Sequence, residues 1–468
     1  MKKPINVGLS QAITPLYLYV KKQISLIPTE TTELQKQFFH SLTLGTGRAM
    51  LLLKTYPQLD FSKELIAASA KNLANDAPCE GSRANYLYPL IRRAKNRVLI
   101  EKTILQKLKN KKSGVCNLAQ LCDLALHFHQ DGNLHARDIF LERFDKSFQD
   151  DYELCGEEQI LKMDGLQGLF RLADKIGRLS EDEWAWYEYR WDIDDFQKAN
   201  PSIDVFAEFE NAAKNNPYIH NYFKLISSIE PLKRARRKVP SAYTVSDVEE
   251  IINRPNKRAG FGFERTRRMS QQEIVTVARN FLDEKDKLRK FKYLRFFYAT
   301  KFPFDYAPLL KIASGQKNHQ TRAVNNAVLA LSHFSGDDIR ALALKKLREE
   351  RIPCEYLHLL VSNYQAGDAE MLVEIIGRAK NFDEVHLLVQ GIIAIYKANP
   401  GADCKAPLEA MYYSMNCALH RRDLLEILNG NAVLSDDILE ELAYDTDADI
   451  RKLSRSIKRS RKSEAISK

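Results

Sequence analysis

The stretch that decides the fold is residues 113–144, SGVCNLAQLCDLALHFHQDGNLHARDIFLERF. Apolar residues recur every three or four positions in its first half, and the same pattern resumes after the break QDGN at 130–133. This spacing is typical of the buried face of an α-helix, and Asp-Gly is typical of a tight turn. The stretch therefore predicts a helix, a turn and an antiparallel helix.

The same pattern returns along the chain, at 161–176 (LKMDGLQGLFRLADKI) and several times after residue 300. Alternating apolar strands of useful length are missing. Helix pairs that repeat every 30–45 residues or so are typical of solenoids, in which each pair buries one face on the next. We predict an all-α fold, an α-solenoid of antiparallel helix pairs in two helical segments joined by a basic connection.

Two segments of the C-terminal part share an Asp followed by an Ile-Arg pair, GDDIRALALKKL (336–347) and DADIRKLSRSIKR (447–459), and TRAVNNAVLAL (321–331) is a looser match. This pattern resembles HEAT repeats, whose paired helices are joined by a turn that carries an Asp and precedes a Val/Ile-Arg pair. In that family, Asp and Arg of successive repeats form a ladder. The resemblance implies this structural role for Asp338, Arg340, Asp449 and Arg451. It is clearest over about 300–460, and it implies a habit of binding macromolecules without naming a ligand.

Composition narrows the class of protein. The chain has 468 residues, and its seven cysteines are scattered and never spaced as C-x-x-C. No apolar run approaches the roughly 18–20 residues that a membrane helix needs. The basic N-terminus is interrupted by polar residues and a proline, unlike a signal peptide. We therefore expect a cytoplasmic protein with reduced thiols and no membrane association.

The formal net charge of +10 is unevenly placed. Residues 233–301 hold 19 Lys and Arg against 8 Asp and Glu, which accounts for the whole excess. Such asymmetry indicates either a surface for a polyanion or acidic partner, or a solvated linker. The candidate binding residues are Lys233, Arg234, Arg236, Arg237, Lys238, Lys257, Arg258, Arg267 and Arg268.

The end of this basic window, KDKLRKFKYLRFFYATK (285–301), interleaves cations with aromatic residues. That composition suits nucleic acid, through phosphate contacts and stacking. The alternative is an amphipathic helix with its aromatic side chains inward and its cations exposed. Phe291, Leu294, Phe297 and Tyr298 fit one apolar face, so we expect these aromatic residues in the core.

The prolines and glycines of 233–270 interrupt the helical rhythm and suggest boundaries. We predict an N-terminal helical-pair array (1–232), a basic connection (233–270), HEAT-like repeats (271–460) and a frayed basic tail (461–468). Within the connection, Ser246 and Glu249 form a capping-box pattern that predicts a short helix near 247–253.

The three tryptophans lie within eight residues, in SEDEWAWYEYRWDIDDF (180–196). One interpretation is an active site with aromatic walls around an acid. Certain HEAT-like alkylpurine DNA glycosylases are built this way, and the resemblance makes Asp192 the candidate catalytic carboxylate. In such a site, however, the groups come from several successive helices. Here they crowd onto one helix with two opposed aromatic stripes, which favours packing between two neighbours.

A zinc site built from Cys116, Cys122, His127, His129 and His135 is disfavoured. The spacing matches no short zinc knuckle, and Cys122 falls on the apolar stripe of its helix. His127 and His129 are two positions apart on a helix and point in nearly opposite directions. We therefore predict no metal and no cofactor.

Two functions follow from these observations. The first is a non-enzymatic helical-repeat scaffold that binds a macromolecular partner, most simply an acidic protein, through a concave groove with a basic middle region. The second is a HEAT-like nucleic-acid-binding protein, with a DNA glycosylase as its enzymatic form. Salt dependence of binding separates the two.

Overall fold

The computed structural model describes residues 33–80, 82–180, 183, 191–229, 241–255, 260–315 and 321–466. Residues 78, 79, 191, 192, 321 and 464–466 are described by their backbone alone. Throughout these ranges the regular structure is helical and no strand occurs. The predicted all-α class is therefore confirmed.

The helices alternate with short turns along the whole described chain. Their bounds are α1 Glu33–Leu44, α2 Arg48–Thr55, α3 Ser62–Ala70, α4 Ala77–Glu80, α5 Ala84–Arg93, α6 Arg97–Asn110, α7 Val115–Gln130, α8 Leu134–Asp145, α9 Glu157–Ile176, α10 Trp191–Ala199, α11 Val205–Ala213, α12 Pro217–Ser227, α13 Val245–Asn253, α14 Phe263–Arg267, α15 Gln271–Asp283, α16 Lys287–Ala299, α17 Ala307–Ala313, α18 Thr321–Leu331, α19 Asp337–Glu349, α20 Cys354–Leu357, α21 Asp368–Gly377, α22 Phe382–Ala398, α23 Lys405–Tyr412, α24 Ala418–Gly430, α25 Asp436–Glu441 and α26 Ala448–Ile466. Short 3₁₀ segments lie at His358–Val361, Ala402–Cys404 and Leu442–Tyr444.

The helix pair predicted from 113–144 is present as α7 and α8, which pack against each other. Leu118, Leu121 and Cys122 of the predicted stripe are buried in α7. The turn contains Gly132, whose φ of 95° is a conformation that favours glycine. The local spacing of apolar residues was sufficient to predict this pair.

The described residues divide into two compact units. The continuous unit comprises residues 241–436. The discontinuous unit comprises residues 33–229 together with 437–466. The last helices of the described chain thus belong to the same compact unit as the first ones.

The C-terminal segment of the discontinuous unit packs on the turn between α1 and α2. Thr446 N–H donates to the carbonyl of Gly45 (2.9 Å), and Arg48 donates to the buried carboxyl of Glu441 (3.5 Å). A Cβ on Gly47 would lie 1.8 Å from the carbonyl oxygen of Glu441. Glycine is therefore needed at position 47 because the chain at Glu441 approaches its backbone closely.

Helix α13 begins two residues earlier than the capping pattern suggested. Its N-cap is Thr244, which forms a reciprocal capping box with Asp247, so the assignment to Ser246 was wrong. Glu249 accepts hydrogen bonds from Asn280 and Tyr293 instead of capping the helix. Thr244 with Asp247 and Ser246 with Glu249 both have the spacing of a capping box. Only the first pair forms one, because Glu249 is engaged in tertiary contacts.

Of the residues of α16 expected in the core, Leu294 and Phe297 are buried, whereas Phe291 and Tyr298 are only partly buried. Phe296, which was not among them, is fully buried. The expectation that the cations of this segment stay exposed was wrong for Lys292, which is 1% exposed. Its ammonium donates to the carbonyls of Ile252 (2.8 Å) and Arg254. These carbonyls lie at the end of α13, where the helix supplies no partners of its own.

Lys292→Met is expected to destabilise the protein by about 2 kcal/mol, because it leaves buried carbonyl groups without a donor. Lys287→Met, on the exposed start of the same helix, is the matched control and should change the free energy of unfolding by less than about 0.5 kcal/mol. Urea denaturation followed by circular dichroism measures both. Equal effects of the two substitutions would contradict the capping role of Lys292.

Candidate functional site

Most of the predicted cationic site lies outside the described residues. This applies to Lys233, Arg234, Arg236, Arg237, Lys238, Lys257 and Arg258. Arg267 and Arg268 are described, and both are exposed at the end of α14. Arg268 lies 3.8 Å from the carboxylate of Glu264, whereas the Arg267 guanidinium lies over the ring of Phe263.

The predicted ladder residues of the continuous unit make defined contacts. Arg340 forms two hydrogen bonds with the carboxylate of Asp368, at 2.8 and 2.9 Å, and a third with the carbonyl of Asn363. Asp368 is 6% exposed. Asp338 accepts a hydrogen bond from Tyr306 rather than from an arginine. Arg340 thus links the start of α19 to the start of α21.

The corresponding residues of the discontinuous unit act within one turn. Arg451 donates to the carbonyls of Asp445 and Thr446, at 2.6 and 2.8 Å. Asp449 pairs with Lys452 at 2.9 Å, one turn further along the same helix. Arg451 therefore stabilises the turn that precedes α26.

The tryptophan stretch is described only in part. Trp184 and Trp186 lie outside the described residues, and Asp192 is described by its backbone, within α10. Ser180 and Glu183 are described, and the Ser180 N–H and hydroxyl both donate to the Glu183 carboxylate, at 3.0 and 2.7 Å. Of the two reciprocal hydrogen bonds of a capping box, the one from the Ser180 N–H to the Glu183 side chain is therefore present.

The cysteine and histidine residues of 116–135 either pack against neighbouring side chains or lie at the surface. Cys122 is fully buried and its thiol contacts that of Cys155, while Cys116 is exposed. The ring of His127 stacks on Tyr88 with the ring centroids 4.8 Å apart, and its Nε2 bonds Asn85. Burial lowers the pKa of His127, so its imidazole is neutral at pH 7.

A strongly basic surface is carried by α26. Ile450, Ser454 and Ile457 form its buried stripe at helical spacing. Residues 450–463 contain seven Lys and Arg and no Asp or Glu. The cations that are exposed on this helix are Lys452, Arg455, Lys458, Arg459 and Lys462. We call the surface of these five residues the α26 basic face.

A second surface, which we call the Phe263 surface, combines the exposed ring of Phe263 with the cations of Arg267 and Lys301 in the continuous unit. Phe263 is 43% exposed and meets Tyr298 edge-on, with the ring centroids 5.2 Å apart. Arg267 lies over Phe263, and Lys301 lies 4.8 Å from the ring centroid of Phe334. Burial lowers the pKa of the neighbouring His333, whose ring bonds the carbonyl of Tyr298, and the positive charges of Lys301 and Arg267 lower it further.

A third arrangement brings together His386, Cys417 and His420. One ligand atom from each side chain lies within 4.8 Å of the others, the one such group found among the described residues. His386 lies on α22, Cys417 immediately precedes α24, and His420 lies in the first turn of α24. The packing of α22 against α24 brings His386 next to Cys417 and His420, although His386 and His420 are 34 positions apart in the sequence.

The surroundings of this cluster favour a neutral imidazole at His420. Burial lowers the pKa of His420, and the neighbouring His386 lowers it further. The two rings meet edge-on, with their centroids 4.6 Å apart. Cys417 is 4% exposed. Neutral imidazole nitrogen and thiolate sulfur are the forms that bind metal ions.

Sequence reasoning missed this cluster while weighing the one at 116–135. The available signal was the Cys-x-x-His spacing of Cys417 and His420, which places both on one face of a helical turn. His386 carries no local signal, because only the packing of α22 on α24 brings it near. The α26 basic face was also missed, because its residues were considered as a repeat signature and, from residue 461 on, as a frayed tail.

None of the described helices combines the length and the apolar character needed to cross a bilayer. No family model, curated protein or solved structure matches the chain, so the likeness to HEAT repeats stays a prediction from the sequence.

Proposed function

We propose that this chain is a non-enzymatic, HEAT-like helical scaffold that binds an acidic protein partner, with the α26 basic face as one contact surface. The observation that carries the proposal is the row of exposed cations on that helix. Arg455, Arg459 and Lys462 recur at spacings of four and three and so share one face, about 10 Å long. No carboxylate lies between them in the sequence to neutralise them.

The repeat architecture is supported by the contacts of its predicted signature residues. The Ile-Arg pairs at 339–340 and 450–451 bury the isoleucine and use the arginine to hold neighbouring backbone. Stacked helix pairs with such turns leave long surfaces of successive helices for a partner. A predominantly structural use of the buried polar groups agrees with a scaffold rather than an enzyme.

Reversing charge on the α26 basic face is expected to weaken binding to an acidic chain by at least about tenfold at low salt, since charge complementarity steers such encounters. The variant is Arg455→Glu, Lys458→Glu, Arg459→Glu. Its control, Lys63→Glu, Lys102→Glu, Lys214→Glu, changes net charge equally at exposed positions of the same unit. Fluorescence anisotropy with labelled poly-glutamate measures the affinities. Equal losses in both variants would refute a localised surface.

Nucleic-acid binding is the second candidate function, and the Phe263 surface favours it. An exposed ring beside Arg267 provides stacking and phosphate contact together. Phe263→Ala with Arg267→Glu is expected to reduce single-stranded DNA binding and flatten its salt dependence. Undetectable binding of single-stranded and duplex DNA at low salt would eliminate this candidate. The glycosylase form additionally requires base release that is lost on Asp192→Asn.

A further inference from the structure

We propose that His386, Cys417 and His420 form a zinc-binding site that joins α22 to α24. The proposal concerns the continuous unit and is independent of the binding surfaces described above. It rests on three different observations: the convergence of the ligand atoms, the chemistry of the donor set and an unpartnered buried nitrogen.

The ligand atoms are already close to a coordination geometry. Bonds of about 2.3 Å to sulfur and 2.0–2.1 Å to nitrogen place tetrahedral ligand atoms roughly 3.3–3.6 Å apart. The three atoms here lie within 4.8 Å of one another before any metal is bound. Side-chain rotations that shorten these distances by about 1 Å complete the set.

The donor set selects the metal. One thiolate and two imidazoles suit Zn²⁺, whereas Mg²⁺ and Ca²⁺ prefer oxygen ligands. Cys417 and His420 are three residues apart and lie on one face of the helix start. His386 is supplied by the adjacent helix, so the metal bridges two elements that pack together.

His420 carries the unpartnered group. Its Nδ1 is buried and accepts or donates no hydrogen bond among the described residues. Its Nε2 lies 2.5 Å from the side-chain amide nitrogen of Gln390. A histidine that served only to pack the two helices would leave the buried Nδ1 at a cost in free energy. Coordination through Nδ1 satisfies that atom and places the proton on Nε2, which then donates to the side-chain oxygen of Gln390 after a half-turn of that amide.

The three side chains leave the fourth coordination position of the site to a further ligand. Gln390 lies one turn after His386 on α22 and is exposed. Both histidines are only half-buried, whereas Cys417 lies beneath them. We therefore infer three protein ligands with water in the fourth position, while Gln390 contacts Nε2 of His420, on the side of the ring away from the metal-binding Nδ1. This arrangement fixes α22 to α24 and leaves one exchangeable coordination position.

Cobalt substitution of the full-length chain tests the proposal, because Co²⁺ reports thiolate and imidazole ligation spectroscopically. After chelation of resident metal, we expect one Co²⁺ per chain, with a thiolate-to-cobalt charge-transfer band and visible bands of four-coordinate intensity. Zn²⁺ should displace it. Cys417→Ser should abolish the charge-transfer band. Cys417→Ser and His386→Gln should each weaken Zn²⁺ binding by at least about tenfold, since even outer-shell partners of metal ligands are worth that much.

Cys354→Ser and His358→Gln are the matched controls, because both residues lie in the same unit and outside the cluster. Circular dichroism with chelator present establishes that each variant is folded. Zn²⁺ at a concentration that just saturates the wild-type protein should raise the melting temperature of the wild-type protein and of both controls, and raise that of Cys417→Ser by less. Absence of the charge-transfer band in the wild-type protein, or equal Zn²⁺ affinity in Cys417→Ser, His386→Gln and the controls, would overturn the proposal.

Discussion

Glu441→Gln is expected to remove most of the pH dependence of stability of the discontinuous unit between about pH 5 and pH 8. Burial raises the pKa of Glu441 to about 8, against an ordinary value of 4.5. Between those two values the folded protein holds a proton that the unfolded chain releases. The contribution of Glu441 to stability is therefore fully present at low pH and is lost as pH rises towards 8, by on the order of 5 kcal/mol in total.

The charges around Glu441 explain why the effect of burial on its pKa outweighs the opposite effect of Arg48. Arg48 lies 3.5 Å away and favours the carboxylate, but Asp445 and Asp437 oppose it. The Glu441 side chain is 1% exposed, so little water compensates the charge. Glutamine keeps the hydrogen-bonding shape without the ionisation, so Glu441→Gln should be more stable than wild type at pH 8.

Urea denaturation followed by tryptophan fluorescence from pH 5 to pH 8.5 measures this effect. Trp191 begins α10 of the discontinuous unit, and the other two tryptophans are near it in sequence. Glu440→Gln is the matched control, because Glu440 is exposed and adjacent. The interpretation fails when the wild-type protein and Glu441→Gln show the same change of stability with pH.

Arg340→Ala is expected to destabilise the continuous unit by about 3–5 kcal/mol. It removes the bidentate partner of Asp368 and leaves that carboxylate buried without a countercharge. The free energy lost should exceed that of any exposed arginine. Arg348→Ala, on an exposed position of the same helix, should cost less than about 0.5 kcal/mol.

The double variant Arg340→Met, Asp368→Leu separates the free energy that the ion pair contributes from the free-energy cost of burying the Asp368 carboxylate alone. It should recover most of the stability, since apolar replacement of a buried ion pair is often neutral. Hydrogen exchange of peptides covering α19 and α21 localises the effect. If Arg340→Ala and the double variant are equally destabilised, the hydrogen bond from Arg340 to the carbonyl of Asn363 is the larger contribution.

Features set by neighbouring residues could be predicted from the sequence. The α7–α8 pair follows from apolar spacing and an Asp-Gly turn, and both are local. The burial of Lys292 could not be predicted, because its partner carbonyl at Ile252 is 40 residues away. His386 joins Cys417 and His420 only through helix packing. Arg48 and Glu441 are separated by 393 residues. The spacing of apolar residues in the sequence does not indicate which of these distant residues are in contact.

The discontinuous unit has a consequence for the order in which the protein folds. Ribosomes add roughly 5–20 residues per second. Glu441 follows Arg48 by 393 residues, so its synthesis comes about 20–80 s later. During that interval the turn around Gly45 and Gly47 has no C-terminal segment to pack on. The continuous unit can fold in the meantime. Until the C-terminal segment is made, nascent helices α1 and α2 expose the surface on which it packs, and we expect this surface to be a binding site for a chaperone.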